Sequence, residues 1–319
     1  MSSGFSVANN THLIRSNLWT AQLKDLFLDD LYGMKFVNTI TDFPDGTTWN
    51  KPVVGEAEIQ NFVEGEAIKY TRMDTGNFTF SFDMYQYSAH SITKKFKRDS
   101  FWGESVESMF VPKEHRALME AVEARIFNRA NAGQTASDSN TINTANHRMV
   151  GSGTNETISP TDFSRARFAL TKANVPKTNL VAIVDPSVTF ALETQTNFVN
   201  FLSPMPSGER IVREGMVSGL QFKYNLFGFD IYESNYLPGS IAETVGGRTT
   251  TTGVANLFFS AAPGDTLPLI GAFRQMPTVS SKENIDLQQD EYVTICEYGF
   301  KLYRPENMVI VLTDTDQVA

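Results

Sequence analysis

Apolar and polar residues alternate most regularly between 78 and 85. Phe78, Phe80, Phe82 and Met84 fall on one side of an extended chain, and Thr79, Ser81, Asp83 and Tyr85 on the other. A period of two marks a half-buried strand. Asp45-Gly46-Thr47 is a turn signal upstream. Val53-Val54 and the run Ile59 to Val63 then lead to Glu64-Gly65-Glu66. The pattern predicts a long hairpin over 45–90 with one apolar face and one polar face. A two-stranded hairpin is marginal in water, so this one must lie on its own domain or on a neighbour.

The period lengthens further on. Leu118, Val122 and Ile126 recur every four residues, with Ala121 beside them, while Arg116, Glu120, Glu123 and Arg129 take the other sides. This predicts a helix within 103–132, most regular from Pro112 to Ala132. Pro112 suits a first-turn position, where its missing N–H costs nothing, and Gly133 is a stop signal. Such a rod is roughly 30 Å long. A shorter stripe, Leu23, Leu26, Phe27 and Leu31, predicts an amphipathic helix in residues 1–44. It packs on its own core or serves as an arm to a neighbour. Residues 133–158 are rich in Gly, Ser, Thr and Asn and read as a linker.

A second unit starts at Ser159-Pro160-Thr161-Asp162, a helix start with proline in the first turn and an acid at the capping-box position. Phe163, Ala166, Leu170 and Ala173 form its apolar face. Leu180 to Val184 is a wholly apolar strand closed by Asp185-Pro186, and a second helix runs from about Ser187 through Leu192 to Phe198. This is a small α/β layered unit. Ser203–Gly208 and Ala242–Gly253 read as polar loops, the second with the low-complexity tip Thr249 to Thr252. Short β-rich runs return at 257–259, 269–270, 292–296 and 308–312.

Composition narrows the chemistry. Phenylalanine dominates the aromatics, 24 against 3 Trp; it needs no hydrogen-bond partner and suits dry cores and subunit contacts. The net charge of −9 argues against tight phosphate binding and leaves only weak, non-specific contact with nucleic acid. Cys296 is the single cysteine, in the apolar run Val293-Thr294-Ile295-Cys296. It reads as a small buried hydrophobe in a protein assembled in a reducing cytoplasm. No signal peptide opens the chain, and no run approaches the ~20 apolar residues of a membrane span.

Catalytic signatures are missing. The histidines at 12, 90, 115 and 147 are too far apart in sequence to form a helical metal pair. Gly215-Met216-Val217-Ser218-Gly219 has the wrong spacing for a nucleophile elbow, and Gly151-Ser152-Gly153 is not a dinucleotide loop. No catalytic residue, cofactor or metal is expected. The cations Lys94, Lys95, Lys97 and Arg98 form a solvated face in a single-chain view. In an assembly view they receive Glu56, Glu58, Glu64 and Glu66 of the next subunit.

The order of parts resembles the major capsid protein of tailed double-stranded-DNA bacteriophages, the Hong Kong 97 fold. Four segments carry the resemblance: the hairpin leading to Ile92-Thr93 and the basic stretch ending at Asp99; the long helix; Leu170 to Pro186; and Gly228-Phe229-Asp230-Ile231-Tyr232-Glu233-Ser234-Asn235-Tyr236-Leu237-Pro238. Tyr298-Gly299 and Arg304-Pro305-Glu306 support it. The implied fold class is α+β. It has an N-terminal arm (1–44) and an extended hairpin loop (45–90). A peripheral domain with its spine helix and linker follows (91–158), then an axial domain (159–260) and return strands (261–319).

The implied function is self-assembly into hexamers and pentamers of an icosahedral shell around double-stranded DNA, formed in the host cytoplasm. Expected partners are further copies of the chain, a portal, and decoration or cement proteins. No long charged extension precedes the hairpin, which implies a separate scaffolding protein or a processed chain. Candidate inter-subunit contacts are Glu64, Glu66, Phe78, Phe80, Phe82, Lys94, Lys97 and Arg98. Some members of the family cross-link Lys to Asn. Lys69 and Asn307 match only in position, and a non-covalent shell is expected. Two other readings remain: an encapsulin-type nanocompartment shell of the same fold, and a carbohydrate-active enzyme. For the latter, Trp19, Trp49 and Trp102 make a thin sugar platform.

Overall fold

A computed structural model describes residues 31–41, 48–55, 57–68, 70, 72–99, 103–134, 140–194 and 222–314. The chain enters through β1 (Val37–Thr39) and the hairpin strands β2 (Thr48–Val54) and β3 (Thr75–Ser81). β4 (Met84–Thr93), α1 (Lys94–Asp99) and α2 (Gly103–Gly133) follow. Next come β5 (Thr141–Ile142), β6 (Ala145–Asn146), β7 (Arg148–Val150), α3 (Pro160–Lys172), β8 (Leu180–Val184) and α4 (Pro186–Thr194). The return consists of β9 (Phe222–Leu226), β10 (Phe229–Glu233), β11 (Ile241–Val245), β12 (Arg248–Ser260), β13 (Leu269–Asn284), β14 (Gln289–Leu302) and β15 (Val309–Asp314).

Two sheets carry the body. One has the order β1-β13-β14-β4 and lies under α2. The other runs β7-β15-β12-β8-β10-β9, with β11 also on β12. β8 is buried at every position because both of its faces are covered, which is why its sequence is continuously apolar. Ala182 and Val184 face Phe163, Leu170 and Leu192 of α3 and α4. Val181 and Ile183 join the larger core that contains Leu118, Val122 and Ile126 of α2 and Cys296, Tyr298 and Phe300 of β14. The start of α3 is held by the expected capping box of Ser159 and Asp162.

Several sequence expectations are corrected. The hairpin is shorter than 45–90: β2 pairs with β3 alone, and its distal part, 55–74, contains no strand among the described residues. The alternation breaks at Phe82-Asp83, after which β4 joins the four-stranded sheet against β14. The long helix begins nine residues before Pro112, so the proline is internal. One ladder hydrogen bond is lost there, and the remainder of a 31-residue helix, ~46 Å of rod, holds the turn together. The supposed linker supplies β7, an edge strand parallel to β15. Its buried Arg148 is matched by Glu243 at 2.6 Å, so a polar sequence still reaches the interior.

The threonine tip is part of β12, not a loop. Thr250 is fully buried, and Thr251 and Thr252 bond to Asp314. The true turn is Gly246-Gly247, both at positive φ, the pairing that a tight hairpin demands. Ser203–Gly208, Phe198 and the stripe Leu23, Leu26 and Phe27 lie outside the described residues.

Candidate assembly surface

Among the described residues, the hairpin packs on the body at its base. Phe80 is fully enclosed and packs on Ile270 and Ala272 of β13, with Trp49, Phe78, Phe82 and Tyr303 around it. Phe78 meets Tyr303 edge-on at 5.0 Å. Lys51 and Lys301 sit over the Tyr303 and Phe78 rings at 4.8 and 4.9 Å. Gly299 lets the hairpin exit cross β14: a Cβ there would lie 2.7 Å from the Ser81 carbonyl oxygen.

Ion pairs flank the base of the hairpin. Asp265 accepts from Lys51 at 3.1 Å and from Arg304 at 3.3 Å. Burial pushes its carboxyl up, but Lys51 and Arg304 outweigh that and hold it below the usual carboxylate range. At the strand break, Asp83 is gripped by Arg125 and Arg129 of α2.

Beyond the base, several apolar side chains of the hairpin are bare among polar ones. Ile59 and Tyr70 are each 95% exposed and Phe62 74%, with Val63 and Ile68 also exposed. Glu64 and Glu66 stand at the turn beside them, exposed, with Gly65 at φ 90°. A second exposed apolar tip, Ile285 and Leu287, joins β13 to β14.

The structure thus separates the residues singled out in sequence. Phe80 faces inward and Phe78 and Phe82 are half-buried against their own chain. The cations have partners at home: Lys94 with Glu283, Lys97 with Asp290 at 2.7 Å, and Arg98 with Asp99 at 3.3 Å. Glu283 and Asp290 sit on the long β13–β14 hairpin, whose polar outer half hides it from a periodicity search, while Asp99 ends α1 itself. The sequence places Ile59 to Val63 in the hairpin, but Ile59, Phe62, Val63, Ile68 and Tyr70 are not among the contact candidates read from it. The available signal was apolar residues interleaved with carboxylates in a stretch with neither helical nor strand period.

Cys296 and Asn307 are committed inside the chain. Cys296 is buried, which pushes its thiol up to about 11. The Asn307 amide donates to the Ser260 and Thr266 carbonyls and accepts from the Ser260 N–H. Lys69 lies outside the described residues. Among the described residues no group of three His, Cys, Asp or Glu side chains converges as a metal site.

A family model described as phage capsid protein matches residues 115–311. A search of the curated proteins returns no match. Among solved structures, the capsid of cyanophage P-SCSP1u superposes with a TM-score of 0.70 at 13% identity, covering 98% of this chain and 95% of that one. The cyanophage Pam1 capsid gives 0.68 at 12%, covering 98% and 99%. A chain of Mycobacterium phage Che8 gives 0.64 at 17%, covering 94% and 97%. At such identities the likeness speaks to the fold, here the Hong Kong 97-type α+β fold. The family match covers more than half of the sequence, and the chain therefore belongs to the phage capsid protein family as a structural major capsid protein.

Proposed function

We propose that the chain closes into an icosahedral shell of hexamers and pentamers around double-stranded DNA, each hairpin lying on the next subunit. The observation that carries this is the bare apolar hairpin end, Ile59, Phe62 and Tyr70. Exposed apolar patches of this kind mark contact surfaces, and a hairpin end without strands is not stable alone. In this reading 45–90 is the extended loop, 103–132 the spine, 159–260 the axial domain, and 261–319 the return to the peripheral domain. The contacts include Glu64 and Glu66 beside the bare apolar residues, with Phe78 and Phe82 setting the hairpin base on its own chain and Lys94, Lys97 and Arg98 reached only by exchange of their own ion pairs. The acidic chain touches DNA weakly. A scaffolding protein, a portal and decoration proteins complete the assembly in the host cytoplasm, where the single buried thiol stays reduced.

The test is the double variant Ile59→Ser/Phe62→Ser. Its circular dichroism should match wild type, while negative-stain microscopy should show subunits or small oligomers in place of shells. Shells at wild-type yield from that variant would refute the hairpin contact.

A further inference from the structure

A groove of about 380 Å³ opens between α3, β7 and the β11–β12 turn. Arg148, Arg165 and Arg248 line it, with Asn146 and Phe168, and its described lining includes no carboxylate. The lining is cationic in a chain of net charge −9, although Glu243 and Asp162 stand behind two of its three arginines. Arg148 is neutralised by Glu243, to which it donates from Nε at 2.8 Å and Nη2 at 2.6 Å. The other two are less committed. Among the described residues, Arg248 donates from Nη1 to the Gly151 and Gly153 carbonyls at 2.8 and 3.3 Å. Arg165 reaches Asp162 at 3.6 Å and is 54% exposed. Phe168 is 56% exposed, with the Lys172 ammonium 5.8 Å over its ring. The groove therefore offers two guanidinium groups and an open aromatic ring along its lining.

We propose that this groove is a subunit contact, filled in the shell by an acidic surface segment of a second copy that carries an apolar side chain. The inference rests on the self-assembly reading above. Subunits that are each strongly acidic repel one another, so close packing favours contacts where local charge is reversed. Guanidinium groups pair with carboxylates in a fixed geometry, and the ring gives the apolar side chain a surface. A second copy is the favoured occupant because a closed lattice holds neighbours at high effective concentration.

Two measurements test it on the full chain. The variant R165E/R248E should keep the wild-type circular dichroism and lose shell yield by more than about tenfold, since each lost contact recurs around the lattice. R165K/R248K should retain most of the yield. Independently, p-benzoyl-phenylalanine at position 168, irradiated in assembled shells, should give a band of twice the monomer mass, with an Asp- or Glu-containing peptide of another copy attached. Wild-type shell yield from R165E/R248E would overturn the inference and leave the hairpin reading standing. So would a Phe168-site adduct formed only within one chain or only with a different protein, or no adduct at all. The photo-cross-link keeps the question open to test if the charge reversal fails to fold.

Discussion

Single buried polar groups govern how the parts are joined. Glu123 is 1% exposed on α2, and its carboxylate accepts from the backbone N–H of Tyr32 at 3.1 Å and of Gly33 at 2.8 Å. This ties the entering chain to the middle of the long helix. Glu123→Ala leaves those donors buried without their acceptor and should cost about 1–3 kcal/mol, measurable by urea unfolding. His147 acts through pH. Its ring is fully buried. Desolvation outweighs the hydrogen bond to the Ala145 carbonyl and lowers its pKa from the usual 6.5. Above pH 6.5 the ring is neutral folded or unfolded, and its contribution is fully present. As pH falls below that, the unfolded chain takes up the proton first, and stability is lost until pH passes the folded value. The thermal midpoint should fall with acidification below 6.5, and His147→Asn should flatten that part of the profile.

At the scale of elements, β12 is the informative case. A run of four threonines reads as low complexity, yet threonine is β-branched and suits a pleated strand. Here Thr250 bonds the Ile241 carbonyl, and Thr251 and Thr252 satisfy the buried Asp314. Deleting Thr249–Thr252 should therefore unfold the monomer or lower its melting point sharply. Unchanged circular dichroism and melting would show that the strand tolerates a shift of register. The error was one of partners. Nothing in a local window states that Asp314, 62 residues after Thr252, lies beside that strand. Pro112 carries the same lesson: a proline is a good start signal, but a helix packed on a sheet tolerates one inside.

For the whole molecule, the question is what holds many copies together. Cys296 is sealed and its thiol pushed up to about 11, and the Asn307 amide is fully hydrogen-bonded inside the chain. Cross-links by either group would require local unfolding. Mature particles boiled in detergent should run as a single band at 35.6 kDa with or without reductant. A ladder that survives reductant would overturn the non-covalent reading. Non-covalent contacts suffice when each subunit makes several at once.

Local physics was enough for much of this protein. The capping box at Ser159, the buried strand Leu180–Val184, the regular turns of α2 from Leu118 to Ile126, the burial of Cys296 and the order of the parts were all legible, because periodicity, capping and turn chemistry act over a few residues. Which apolar residues stay uncovered was not. Phe78, Phe80 and Phe82 alternate as an exposed contact face would, but β13 and Tyr303 cover them. Ile59, Phe62 and Tyr70 follow no period and are left bare. Lys94 and Lys97 look like free cations until β13 and β14 bring Glu283 and Asp290 to them. Burial and ion pairing depend on what distant segments bring alongside, and that was settled only when the two sheets and the long helix packed together.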